Sequence, residues 1–91
     1  MAKLYTWDVT EPAYDDIPEV EHKVTLLCSF LSGKAIVTID GTEFDISVRP
    51  FGLRGTSQMF RLGEMAAMLD FPKKGAPAII IDGERLVGKD A

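Results

Sequence analysis

The sequence predicts an α+β domain: a small mixed sheet or partly open β-barrel built from two Asp-Gly hairpins, with one helix packed on it over about residues 57–70. Two observations carry this. Asp40-Gly41 and Asp82-Gly83 each sit between apolar runs, and this dipeptide accepts the positive φ angles of a two-residue hairpin turn. Between the hairpins, Met59, Leu62, Ala66 and Leu69 recur at helical spacing, with Met65 and Met68 widening the stripe.

In chain order, Lys3-Leu-Tyr-Thr-Trp7 is rich in strand formers and predicts a first short strand. An acidic segment over residues 8–21 follows, broken by Pro12 and Pro18, and reads as an arm on a single domain spanning residues 1–91. Residues 20–31 support two readings. Val24, Leu26, Cys28 and Phe30 alternate as in a half-buried strand, while Val20, Val24, Leu27 and Leu31 fall at helical spacing; the Val and Thr content favours the strand. Ser32-Gly33-Lys34 then turns the chain into Ala35–Ile39, Asp40-Gly41 turns it again, and Phe44, Ile46 and Val48 share one face of the return. Arg49–Gly55, with Pro50, Gly52 and Gly55, reads as a loop. Thr56 or Ser57 would cap the helix, Gly63 would weaken it, and Pro72 with Gly75 would end it before the hairpin of Ala78–Ile81 and Leu86-Val87. The parallel between Ile36–Phe44 and Ile79–Val87 is hairpin grammar rather than an internal repeat.

Composition bounds the chemistry. Ninety-one residues, 46% of them hydrophobic, suffice for one core and not for two. One cysteine, Cys28, excludes an internal disulfide, and with a single histidine, His22, it leaves no set with structural-zinc spacing. No apolar run of spanning length and no basic-apolar leader occurs, so the expected location is cytoplasmic, with no membrane contact. The net charge of −4 is uneven: residues 1–22 carry −5 and residues 23–91 carry +1. His22, between Glu21 and Lys23, reads as exposed, Asp40 and Asp82 read as turn residues, and the glycines follow no phosphate-cradling spacing. The expectation is a protein that is not an enzyme, with no catalytic, metal or cofactor-binding residues and no cofactor.

From Ala76 to Asp90 the chain resembles the C-terminal part of glutaredoxins in the thioredoxin-fold superfamily. Pro77, Ile79, Ile81, Gly83, Leu86, Gly88 and Asp90 fall in register with that pattern, and Lys3-Leu-Tyr-Thr resembles the first strand of the family. The resemblance implies a cis peptide bond before Pro77, beside a thiol site whose only available thiol is Cys28. No cysteine occurs in Asp8–Tyr14, where the family's first helix would start, so it implies a redox-inactive or single-cysteine relative. The overlapping segment Phe71–Glu84 is similar to small β-barrel head-tail joining proteins of tailed phages, which implies assembly through edges and loops without catalysis. Arg61–Phe71 resembles the first helix of excisionase-type helix-turn-helix proteins, but Gly75 and Pro77 fall where the second helix would run.

The functional expectation is therefore a small non-catalytic protein-binding or assembly module, of the kind phages and other mobile elements use. Trp7 and Tyr14 are the expected anchors of the acidic segment. Arg49, Phe51, Leu53, Arg54 and Phe60 supply the arginines and aromatics that concentrate at binding hot spots. The thioredoxin-like alternative places its site at Cys28 and Pro77. A weak nucleic-acid contact through Arg49, Arg54, Arg61, Lys73 and Lys74 is a third reading, and exposed strand edges would admit a homodimer.

Overall fold

In the computed structural model, which describes residues 2–90, the chain is all-β. Nine strands occur among the described residues: β1 (Lys3–Glu11), β2 (Val20–Cys28), β3 (Ala35–Ile39), β4 (Thr42–Asp45), β5 (Thr56–Leu62), β6 (Met65–Phe71), β7 (Ala78–Ile81), β8 (Glu84–Val87) and β9 (Lys89–Asp90). They form two antiparallel sheets, one in the order β4-β3-β2-β1-β9 and the other in the order β5-β6-β7-β8.

The α+β expectation is thereby corrected, since the described residues contain no helix. Residues 57–70 are most of the β5–β6 hairpin, in register from Thr56 opposite Phe71 to Leu62 opposite Met65. Gly63, expected only to weaken a helix, is the turn itself, with φ +65°. The physical reason lies in β6. Ala67, Leu69 and Phe71 are buried at alternate positions, and this period of two wins over the helical coincidence because it gives the second sheet an inward face. Residues 20–28 are strand, as favoured. Both Asp-Gly dipeptides turn hairpins with positive φ at both residues, +48° and +88° at 40–41, +51° and +77° at 82–83.

Alternation builds the core from both sheets. Tyr5, Trp7 and Val9 of β1, Val24, Leu26 and Cys28 of β2, and Ala35 and Val37 of β3 face Leu62, Ala67, Leu69, Phe71, Ile79 and Ile81. Each fully buried large side chain contributes about 1.5–3 kcal/mol. The acidic segment is not separate from this body: residues 8–11 and 20–21 belong to the β1 and β2 ladder, and only residues 12–19 lie beyond it, in a connection closed by paired bonds between Tyr14 and Ile17.

The two long sides of the sandwich differ. On one, the chain crosses from β8 through Gly88 into β9, which pairs with β1, and the Trp7 indole N–H donates to the Leu86 carbonyl at 2.8 Å. That side is closed. On the other side β4 and β5 are both edge strands, joined only through the 46–55 loop.

Candidate functional site

Two features stand out from the packing. The first is an ionic cluster around His22. In phase with Val24, Leu26 and Cys28, His22 points inward and is only 7% exposed, which corrects its reading as a surface histidine. Its Nδ1 lies 2.6 Å from Asp40 Oδ2 and its Nε2 3.0 Å from Glu11 Oε1; because ionised carboxylates only accept, both bonds are made when the ring is protonated on both nitrogens, an imidazolium between two carboxylates. The Lys23 amide donates to Asp40 Oδ1, and the Glu64 amide to Glu11 Oε2. Glu11 thus ties the first sheet to the β5–β6 turn of the second. At Gly63 a Cβ would collide with the Glu11 carboxylate, so that turn must be glycine for the contact to form.

Bonds to Asp40 and then to Glu11 push the His22 pKa up from its ordinary value. Its own bond to each partner is the main cause holding Glu11 and Asp40 below theirs. Both ring nitrogens are occupied, and among the described residues no hydroxyl or thiol bonds to the ring. The cluster latches four elements together, since β1, β2, the β3–β4 turn and the β5–β6 turn meet at one imidazole and its two carboxylates.

Its pH signature is determined by these directions. The raised histidine gives stability present in full below its unfolded value of about 6.5 and lost as pH rises through the higher folded value. The lowered carboxylates give stability present above their unfolded values and lost as pH falls through the folded ones. Urea midpoints measured from acid to mildly alkaline pH are expected to show a plateau between the two limbs, and His22→Gln to flatten both. A wild-type profile no steeper than the variant's would remove the latch.

The second feature is the open side. Where the sheets part, Val37, Ile39, Phe44, Ile46, Phe60 and Leu69 line a groove of about 370 Å³, with Gln58, Met59 and Arg61 at its β5 rim. Phe44 faces inward yet is 48% exposed, because among the described residues no strand covers the gap between β4 and β5. Hydrogen-bonded pairs alternate along an antiparallel ladder. With the Gly63-Glu64 turn closing on the Leu62–Met65 pair, Gln58, Phe60 and Leu62 bond to β6. Ser57, Met59 and Arg61 therefore turn their backbone N–H and C=O groups to the free edge.

The residues singled out from the sequence are dispersed. Trp7 and Leu53 are buried at 5% and 1% exposure and serve the core. Arg54 lies over the Phe30 ring at 3.7 Å and donates to the carbonyls of Pro72 and Gly75, so its guanidinium braces three segments. Tyr14 and Phe51 are exposed at 72% and 71%, and Arg49 is exposed beside Phe51. Phe60 is half-buried in the groove. Cys28 is buried and its thiol is pushed up by that burial, the reverse of activation. Pro77 is fully buried, and the peptide bond before it is trans.

Sequence reasoning missed the His22 latch and Phe44. The alternation of residues 22–28 carried the signal for the first, and the Asp40-Gly41 register for the second. Among the described residues no three His, Cys, Asp or Glu side chains are grouped to hold a metal ion, and no helix is long and apolar enough to cross a membrane. No protein-family model, curated protein or solved structure matches the chain.

Proposed function

We propose that this protein is a non-catalytic binding module that takes up an extended segment of a partner protein by strand addition at the β5 edge. The observation that carries the reading is the juxtaposition of a seven-residue free edge with an apolar groove. Unpaired backbone groups at Ser57, Met59 and Arg61 supply a register for three successive alternate residues of the incoming strand. Side chains on one face of that strand drop between Phe44 and Phe60, where each buried methylene adds about 0.8 kcal/mol. Soluble sandwiches normally blunt such edges with charge, proline or a covering segment, and β5 carries one charge, Arg61, and no proline. The preferred ligand is an extended peptide with apolar residues at alternating positions and an acidic residue near Arg61.

The test is selection from a displayed library of ten-residue peptides, followed by amide exchange on the complex. Selected peptides are expected to alternate apolar and polar residues and to protect the amides of Ser57, Met59 and Arg61. Met59→Pro removes an outward N–H without removing a ladder bond, so it should abolish binding while leaving the melting temperature within a few degrees. A library that yields no binder, or binders indifferent to Met59→Pro, overturns the proposal.

A further inference from the structure

The turns at the two ends of the strands are segregated by charge. At one end lie residues 12–19, the Asp40-Gly41 and Asp82-Gly83 turns and the Gly63-Glu64 turn; they carry Asp15, Asp16, Glu19, Asp40, Glu64 and Asp82, and no lysine or arginine. At the other end lie the loops 29–34, 46–55 and 72–77; they carry Lys34, Arg49, Arg54, Lys73 and Lys74 and no acidic residue of their own, while Asp45, the last residue of β4, turns one carboxylate in to accept from the Ser47 amide, which leaves the end basic. Contacts fix these groupings. Phe51 N–H donates to Leu31 O and Val48 N–H to Gly33 O at the basic end, and Arg54 reaches Pro72 and Gly75. Glu11 and His22 tie the Asp40-Gly41 turn to the Gly63-Glu64 turn at the acidic end. The body between them is elongated, 46 Å by 25 Å by 20 Å.

Each end also exposes apolar surface of a different shape. The basic end presents a knob: Phe51, 71% exposed with Leu31 at 59% and Val48 at 42% beside it. Phe51 is held at φ +61°, a region that bulky side chains seldom occupy. The acidic end presents a hollow. Pro12, Tyr14, Ile17, Pro18 and Val20 border a cleft of about 420 Å³ against the Gly63-Glu64 turn, more than an aromatic ring needs. Asp15, Asp16 and Glu19 lie in the same 12–19 connection.

We infer that copies of this chain associate head to tail, Phe51 of one copy entering the cleft beside Tyr14 and Ile17 of the next, with Arg49 and the neighbouring lysines meeting the acidic rim. Opposite charge on the two ends favours this contact and opposes like ends meeting. Such an interface is heterologous and yields a ring or a filament according to its rotation. It is independent of the β5 edge, which runs along the side of the molecule.

Sedimentation of the full chain at low salt is expected to show concentration-dependent assembly beyond a dimer, weakening as salt shortens the reach of the charges to about 10 Å or less. Phe51→Asn, which tolerates the same backbone, and Tyr14→Ser each remove one anchor and should weaken association roughly thirtyfold. Their circular dichroism should match wild type, since both side chains are exposed. The deciding experiment mixes the two variants: an intact acidic end on one and an intact basic end on the other should give a 1:1 dimer and nothing larger. A chain that is monomeric at all concentrations, one that stops at a symmetric dimer, or a mixture that fails to pair overturns the contact. Retention of a DNA oligonucleotide by a monomeric chain would reassign the basic end to nucleic acid and equally overturn it. Met59→Pro should leave the assembly unchanged, which separates this result from the fate of the strand-addition proposal.

Discussion

Phe71→Ala is expected to destabilise the domain by about 3–5 kcal/mol, the range for truncating a buried aromatic ring. Phe71 is 2% exposed and ends the run of alternate inward residues along β6. Its ring meets that of Phe30 edge to face, centroids 6.2 Å apart and planes at 79°, an arrangement favoured beyond area burial alone. Arg54 covers Phe30 and is bonded to the 72–75 loop, so a void at Phe71 would also loosen the brace at the basic end. Domains of this size hold about 5–15 kcal/mol in all, so this one change would consume a large part of the total. Urea unfolding measures it directly. A loss below about 1 kcal/mol would mean the ring is not an anchor of the core. The exposed Phe51, changed to Asn, should move stability far less while affecting association.

The same residue explains where the sequence misleads. Met65, Ala66, Met68 and Leu69 are good helix formers, and Ala and Met are poor strand markers, so local preference over 57–70 pointed to a helix. Strand pairing overrode it, because β6 lies between β5 and β7 and must bury Ala67, Leu69 and Phe71 on one face. Where local preference and pairing agreed, as in the two Asp-Gly hairpins and the alternation of Val24, Leu26 and Cys28, the strands were legible. The candidate sites were less so. The groove depends on β4 and β5 ending as edges of different sheets, a matter of topology that no local pattern encodes. His22 was readable in principle, being in phase with the buried face of β2, but its partners Glu11 and Asp40 come from strand pairings distant in sequence. Tyr14 and Phe51 are legible as anchors by residue type alone. That they stand at opposite ends with opposite charge follows only from the fold.

Gly33→Ala should be the most damaging loop substitution, costing roughly 3 kcal/mol. Gly33 has φ +83° and is buried in the β2–β3 turn, and its carbonyl accepts the Val48 amide at 2.8 Å. A Cβ there would strike the backbone carbonyls of Val48 and Arg49, which cannot swing aside as a side chain can. The left-handed backbone contributes about 1–2 kcal/mol of that cost, and displacing the loop with its hydrogen bond about 1 kcal/mol or more. Gly41 supplies the control. Its φ is +88° and a Cβ there would meet nothing within 4 Å, so Gly41→Ala should show the backbone strain alone. The difference between the two variants isolates the packing of turn 29–34 against residues 46–55, and equal losses would refute that packing. Because this loop carries Arg49 and holds Phe51 against Leu31, Gly33→Ala should also weaken head-to-tail association at temperatures where the chain is still folded, and Gly41→Ala should leave association intact.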